Sequence, residues 1–239
     1  ATYLRCDQAV LGVRYDWAER NTTLGLEGFS KIYDGAAISR SSGIALANLG
    51  ADFGVVGNES VRFDGQGRAY GLEFLAQRKL YKGVYGLLAY TYVRSEYGIG
   101  GEYTASAWDS RHIVSMTGGA KLNRDWEIGV RWQYSGGLPY TPYDLGVSMD
   151  RAYWDSQNVP QLDYAALNSL RNAAFAQVDL RVDKKWFFDT WSLDIFMDVQ
   201  NLLGQVPDAP DALDVVRDPA TGAPIPNPID PSRYQARFI

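Results

Sequence analysis

One cysteine, Cys6, stands in the 239 residues, so no disulfide can close within the chain. It reads as a small, buried apolar residue rather than a reactive thiol. One histidine, His112, beside Asp109 and Arg111, excludes a two-histidine metal centre within this chain. No Ser-His-Asp set is assembled around it either, and it reads as a hydrogen-bonding residue at the rim of a strand. No window reaches the roughly 18 apolar residues of a membrane-spanning helix. Basic charge is also short: 23 Lys and Arg against 28 Asp and Glu give a net charge of −5, which argues against nucleic acid as a partner. The glycine runs 98–101 and 118–119 lack the strand–helix setting and Lys-Ser/Thr partner of a phosphate loop. The first reads as a loop tip, the second as a place where strands bend or approach closely. Carboxylate pairs such as Asp194 and Asp198 sit four residues apart on a strand, ~13 Å, too far for direct glycosidase chemistry. The residues therefore imply no enzyme, no cofactor and no metal. The chain starts at Ala1 without a signal peptide, and part of a precursor is expected to be missing.

What is abundant is aromatic and glycine: 16 Tyr, 7 Trp and 24 Gly, as expected of an all-β protein. Eight segments of alternating apolar and polar residues run over 8–18, 22–35, 67–80, 84–96, 112–122, 126–137, 175–188 and 191–204. Short turns at 19–21, 81–83, 123–125 and 189–190 alternate with long connections over 36–66, 97–111, 138–174 and 205–239. Period-2 alternation marks strands with two different environments. In the last segment Leu193, Ile195, Met197 and Val199 oppose Asp194, Asp198 and Gln200, with Phe196 the exception on the polar side. In 126–135, Trp126, Ile128, Val130 and Trp132 oppose Glu127, Arg131 and Gln133. Segment 84–93 is apolar on both faces and its phase cannot be assigned.

Short turns on one rim and long loops on the other describe an outer-membrane barrel. The mildly negative mean hydropathy fits, because a barrel strand shows lipid only every second residue. The polar faces carry both signs of charge: Arg14, Glu27, Lys31, Glu73, Arg131, Asp179, Arg181, Asp194 and Asp198. A basic side chain facing lipid near the bilayer centre costs ~2–4 kcal/mol. These nine therefore read as lining a wet or protein-filled lumen. Trp17, Tyr81, Trp126, Trp186, Phe187, Phe188 and Trp191 flank the short turns, as an aromatic girdle does at headgroup level.

Several stretches are similar to the C-terminal barrel of TonB-dependent outer-membrane receptors. They are GRAYGLEFLA over 67–76 with KGVYGLLAYTY over 82–92, DSRHI over 109–113, and DVQNLL over 198–203. WQYSGGLPYTPY over 132–143 resembles the strand end and loop start of receptors of the Bacteroidetes type. The resemblance covers nearly all of the chain; each motif is soft, and their order and spacing carry it. It implies a bacterial outer-membrane receptor for active uptake of a scarce solute. Family members have about 22 strands around an N-terminal plug. The eight segments here then form part of that wall, roughly strands 14–21. The plug, the TonB box and the closing strand are expected to lie outside residues 1–239. The Pro-rich tail after 205 reads as the last extracellular loop. Implied partners are outer-membrane lipids, the rest of the barrel and its plug, TonB through the missing N-terminal region, an unknown solute, and subunits of a larger complex. The lumen charges are implied to hold the plug or line its escape path.

A second reading stays open: a non-transporting barrel, either a structural subunit or a closed eight-stranded porin-like protein. Specificity belongs to loops. In 138–174, Tyr140, Tyr143, Asp144, Tyr153, Trp154 and Asp155 are candidate ligand contacts, with packing of the loop on itself as the alternative. A weak helical spacing over 161–172 predicts one short helix there, and the Asp-rich tail (Asp208, Asp211, Asp214, Asp218) reads as solvated charge.

Overall fold

A computed structural model describes residues 3–49 and 58–239; part of the 36–66 connection, 50–57, lies outside the described residues. In chain order the strands are β1 (Arg5–Trp17), β2 (Thr22–Ser39), β3 (Val61–Tyr81), β4 (Val84–Ile99), β5 (Glu102–Ala105), β6 (Arg111–Lys121) and β7 (Trp126–Ser135). They continue with β8 (Pro139–Tyr140), β9 (Leu170–Arg171), β10 (Phe175–Phe187), β11 (Ser192–Val199), β12 (Leu213–Val215) and β13 (Ala236–Phe238). The two α-helices are α1 (Leu145–Ser148) and α2 (Arg151–Gln157). No helix is long and apolar enough to cross a membrane, which leaves strand crossing open.

The chain divides into two compact units. The first, 1–138 with 173–208, is one antiparallel sheet in the order β1-β2-β3-β4-β6-β7-β10-β11, with β5 paired to β4. Each long strand pairs with its neighbours in sequence, as a meander does. All eight expected segments are strands. The corrections are at their ends. β2 and β3 reach to Ser39 and back to Val61, so the long connection is shorter than expected, and β5 adds a ninth strand inside 97–111. β11 stops at Val199 rather than 204, because Asn201 takes a left-handed conformation (φ 51°) and its amide binds the Asp179 carboxylate instead of continuing the ladder.

The turn chemistry is local. Lys82 and Gly83 both have positive φ (50° and 79°), the two-residue turn whose twist suits a hairpin. Gly100 and Gly101 (63° and 88°) repeat it between β4 and β5, which makes 98–101 the hairpin tip expected of it. Cys6 is exposed among the described residues rather than buried, because it stands on a face of the sheet that no other element covers.

The second unit, 139–172 with 209–239, is where the long loop and the tail fold together. Met149, Trp154, Leu213, Val215 and Tyr234 form its buried cluster, with Tyr143 against it. Helices stand at α1 and α2, not over 161–172. Asp144 and Asp150 accept from the amides of Val147 and Tyr153 and so cap them. The predicted segment yields only a single turn at 164–166, which Asp163 caps through the Ala165 amide.

Candidate functional site: a charged sheet face and a folded loop unit

The register settles which side chains share a face, because directly paired residues point the same way. Gly12 pairs with Glu27 and Arg14 with Gly25. Lys31 and Glu27 lie two pleats apart, and Glu27 pairs with Glu73. Glu73 pairs with Thr91, and Thr91 with Ile113. On the same side Thr117 pairs with Arg131, Arg131 with Asp179, Arg181 with Asp198, and Lys185 with Asp194. All nine charged candidates, Arg14 to Asp198, thus stand on one face of one sheet. The register also gives the phase that 84–93 conceals. Leu87, Ala89 and Thr91 join the charged face; Leu88, Tyr90 and Tyr92 take the other.

The charged face is structured by pairing. Arg181 binds Asp183 at 2.7 Å and lies 4.0 Å over the Phe196 ring, which accounts for an aromatic on the polar side of β11. Lys185 reaches Asp194 at 3.4 Å. Asp179 accepts from Gln177 and from the Asn201 amide, both at 2.8 Å. Tyr85, which the sequence does not single out, donates to Glu127 at 2.6 Å across β6. Its ring occupies the space where a side chain on Gly119 would stand, 2.6 Å from the Tyr85 hydroxyl. Glu27 and Glu73 are the exception. Two like charges sit directly opposite, and no cation among the described residues forms an ion pair with either. Arg14, diagonal to Glu27 on this face, is held by Asp16 at 3.1 Å.

The opposite face is apolar through its middle, and toward the long loops it carries Arg68 and Arg94, each paired with Glu96 at 2.6 Å. Leu11, Val13, Ile195 and Met197 are more than half exposed, and Val130, Leu180 and Val182 continue the band between them. A large exposed apolar surface of this kind suits lipid better than water. Its short-turn edge is ringed by aromatics paired with cations. Arg20 lies 4.1 Å over Trp17, Lys184 is 5.2 Å from Trp186 and 5.8 Å from Trp126, and Lys82 is 5.5 Å from Tyr81. Phe188 stacks on Trp191 at 4.0 Å. Lys184 donates to the Arg124 carbonyl, so its charge is carried toward the turns. His112 also faces this side, 2.9 Å from the Tyr90 hydroxyl.

Within the loop unit, most candidate ligand residues are engaged inside it. Asp144 caps α1. The Tyr153 hydroxyl donates to Gln161 at 3.0 Å, and Asp155 accepts from Tyr234 at 2.8 Å. Trp154 is 3% exposed at the centre of the cluster and Tyr143 packs against it. Tyr140 pairs with Leu170 at the base of the loop. Two turn carboxylates are held below their ordinary values: Asp218 by the amides of Thr221 and Ala220, and Asp230 by Ser232, with Arg233 adding to it. Among the described residues no cluster of three or more His, Cys, Asp or Glu side chains is placed to hold a metal ion.

The family described as TonB dependent receptor-like, beta-barrel, matches residues 7–202. No curated protein matches the chain. Among solved structures, the ferripyoverdine receptor of the Pseudomonas aeruginosa outer membrane is similar over 84% of this chain and 24% of its own, with a TM-score of 0.60 and 14% identity. The ferric-catecholate import receptor Fiu of E. coli K12 is similar over 98% of this chain and 26% of its own, with a TM-score of 0.56 and 12% identity. The FrpB iron transporter of Neisseria meningitidis is similar over 86% and 28%, with a TM-score of 0.53 and 12% identity. At these identities the likeness shows the fold. The chain spans about a quarter of the length of these receptors.

Proposed function

The chain belongs to the TonB-dependent receptor β-barrel family, and from that premise we propose that it forms part of the wall of a receptor that takes up a scarce solute actively. The family is one of outer-membrane receptors and transporters rather than enzymes, and the chain is an outer-membrane protein. The observation that carries the proposal is the two-faced sheet: nine charged side chains on one face, an apolar band on the other, and cation-backed aromatics along the short-turn edge. In lipid, such a sheet satisfies its backbone hydrogen bonds strand to strand.

The apolar face meets lipid and the charged face looks into the lumen, where it meets a plug supplied by sequence outside residues 1–239. TonB acts through that same missing region. Glu27 and Glu73, opposed and without a cation of their own, are the positions where a basic plug residue brings most, since like charges directly opposite destabilise a sheet. The loop unit is made of the long connections, where specificity belongs. Its acids and aromatics hold its shape, and ligand contact falls to the surface that shape presents. Because the similar solved receptors are named for ferripyoverdine, ferric catecholates and iron, a ferric chelate is the first cargo to test.

The test is uptake of radiolabelled ferric chelates by cells carrying the intact receptor, with and without a working TonB system. Accumulation that requires both receptor and TonB is the expected result. A receptor that folds in the outer membrane yet gives no TonB-dependent uptake of any solute tried favours the structural, non-transporting barrel.

A further inference from the structure

The apolar face is not an even band. Gly86 pairs directly with Gly118 on this face, so two adjacent strands present no side chain at the same level. Arg78 flanks the gap beyond Gly86, and Val130 flanks it beyond Gly118. Two residues farther from the short turns, Leu88 and Met116 pair across the same strands and wall one side. Ile128 walls the other, beside Ala120. The result is an apolar notch of about 550 Å³, within the size range of small-molecule sites.

Empty, the notch leaves its walls without dispersion partners on one side, and in a bilayer a long thin apolar chain is what fills it. Arg78 gives the occupant its head. Its Nη2 donates to the Tyr81 carbonyl at 3.4 Å and its guanidinium lies 5.1 Å from the Tyr81 ring, so the charge is turned to the short-turn edge. That edge is where Tyr81, Trp126 and Trp186 mark the headgroup level. The Arg78 Nε has no hydrogen-bond partner among the described residues. That Nε is closed off from a ligand, so the match to a phosphate falls to the Nη groups of the guanidinium at the Tyr81 edge.

We infer that this notch is a binding site for one phospholipid of the periplasmic leaflet, with an acyl chain laid over Gly86 and Gly118 and the phosphate on Arg78. The inference rests on the placement of the apolar face in lipid and is independent of transport.

The test is native mass spectrometry of the intact protein, extracted in mild detergent and titrated with phosphatidylglycerol and phosphatidylethanolamine. Two variants report on the two halves of the site. Gly86→Leu fills the notch, and its Cβ meets only the Thr117 carbonyl at 3.4 Å and the Gly118 Cα at 3.6 Å, which are ordinary contacts. Arg78→Gln removes the charge and leaves the notch open. Wild type is expected to retain one phospholipid, and each variant to lower its occupancy at least fivefold while keeping the heat-modifiable migration of a folded barrel. Equal retention in wild type and both variants overturns the site. So does loss in Gly86→Leu with full retention in Arg78→Gln, which describes a greasy groove without headgroup recognition. A second polypeptide co-purifying on this face in place of lipid, and released by Gly86→Leu, overturns it as well. If Gly86→Leu does not fold, Arg78→Gln alone decides. Uptake that fails while lipid is retained counts against the transport proposal only.

Discussion

The Arg181 guanidinium lies 4.0 Å above the ring of Phe196, one strand away. The contact turns an apparent fault in the alternation of β11 into part of the charged face. Exposed cation–π pairs are worth about 0.5–1 kcal/mol. A double-mutant cycle of Arg181→Gln and Phe196→Leu, read by urea unfolding of the barrel in micelles, is expected to return a coupling of about that size. A coupling of zero means the two groups merely pass one another.

The opposed pair Glu27 and Glu73 has the reverse character. Cross-strand pairs contribute roughly 0.2–1 kcal/mol, with like charges unfavourable, so Glu27→Gln or Glu73→Gln leaves the barrel as stable or slightly more so. In the intact receptor each is expected to lower uptake several-fold at an equal amount of folded protein, through a loosened plug. The same fall in uptake per folded receptor is expected of single neutral substitutions at Arg14, Arg131 and Arg181. Variants that fail to assemble, with uptake per folded receptor unchanged, would show that these charges serve the wall alone.

Trp154 is the centre of the loop unit, and replacing a buried Trp by Ala costs about 3–5 kcal/mol. Trp154→Ala is expected to open 139–172 and 209–239 to limited proteolysis. Hydrogen exchange in β6, β7 and β10 stays as in wild type. Unchanged proteolysis, or loss of protection through the whole sheet, contradicts a separately folded loop unit.

The same unit has an acid limit. The carboxyls of Asp218 and Asp230 titrate below their ordinary value of 3.8, because each accepts hydrogen bonds from its own turn. A lowered folded-state pKa contributes stability that is complete above the unfolded value and is lost as pH falls through the folded one. Hydrogen exchange in 218–222 and 230–234, corrected for intrinsic rates, is expected to stay flat down to about pH 4 and to rise below it. The Asp218→Asn, Asp230→Asn double variant has little of that dependence. A wild type that loses protection between pH 7 and 5 would place the controlling group elsewhere.

The strands were legible because each has one charged and one apolar side, and a period of two is visible without knowledge of the partners. β4 shows where this stops. Leu87 and Leu88 face opposite ways yet are the same residue type, and only pairing with β3 and β6 assigns them. The cap signals at Asp144 and Asp150 were present in the sequence, but the helices they start are too short to show a period. The union of 139–172 with 209–239 had no local sign. Tyr234 meets Met149 and Asp155 across some eighty residues, through a backbone bond of 2.8 Å and a hydroxyl contact of 2.8 Å. For the same reason the acids and aromatics of the loop could not be separated in advance into ligand contacts and framework.

In the proposed placement the charged face looks into the lumen and the other into lipid. Spin labels placed one at a time from Glu127 to Gln133 on β7, in a Cys6→Ser background and in bilayers, test it by collision with oxygen and with a water-soluble nickel chelate. Labels at 128, 130 and 132 are expected to favour oxygen, and labels at 127, 129, 131 and 133 to be shielded from it, in strict alternation. Absence of alternation, or oxygen accessibility peaking at Arg131, contradicts the account.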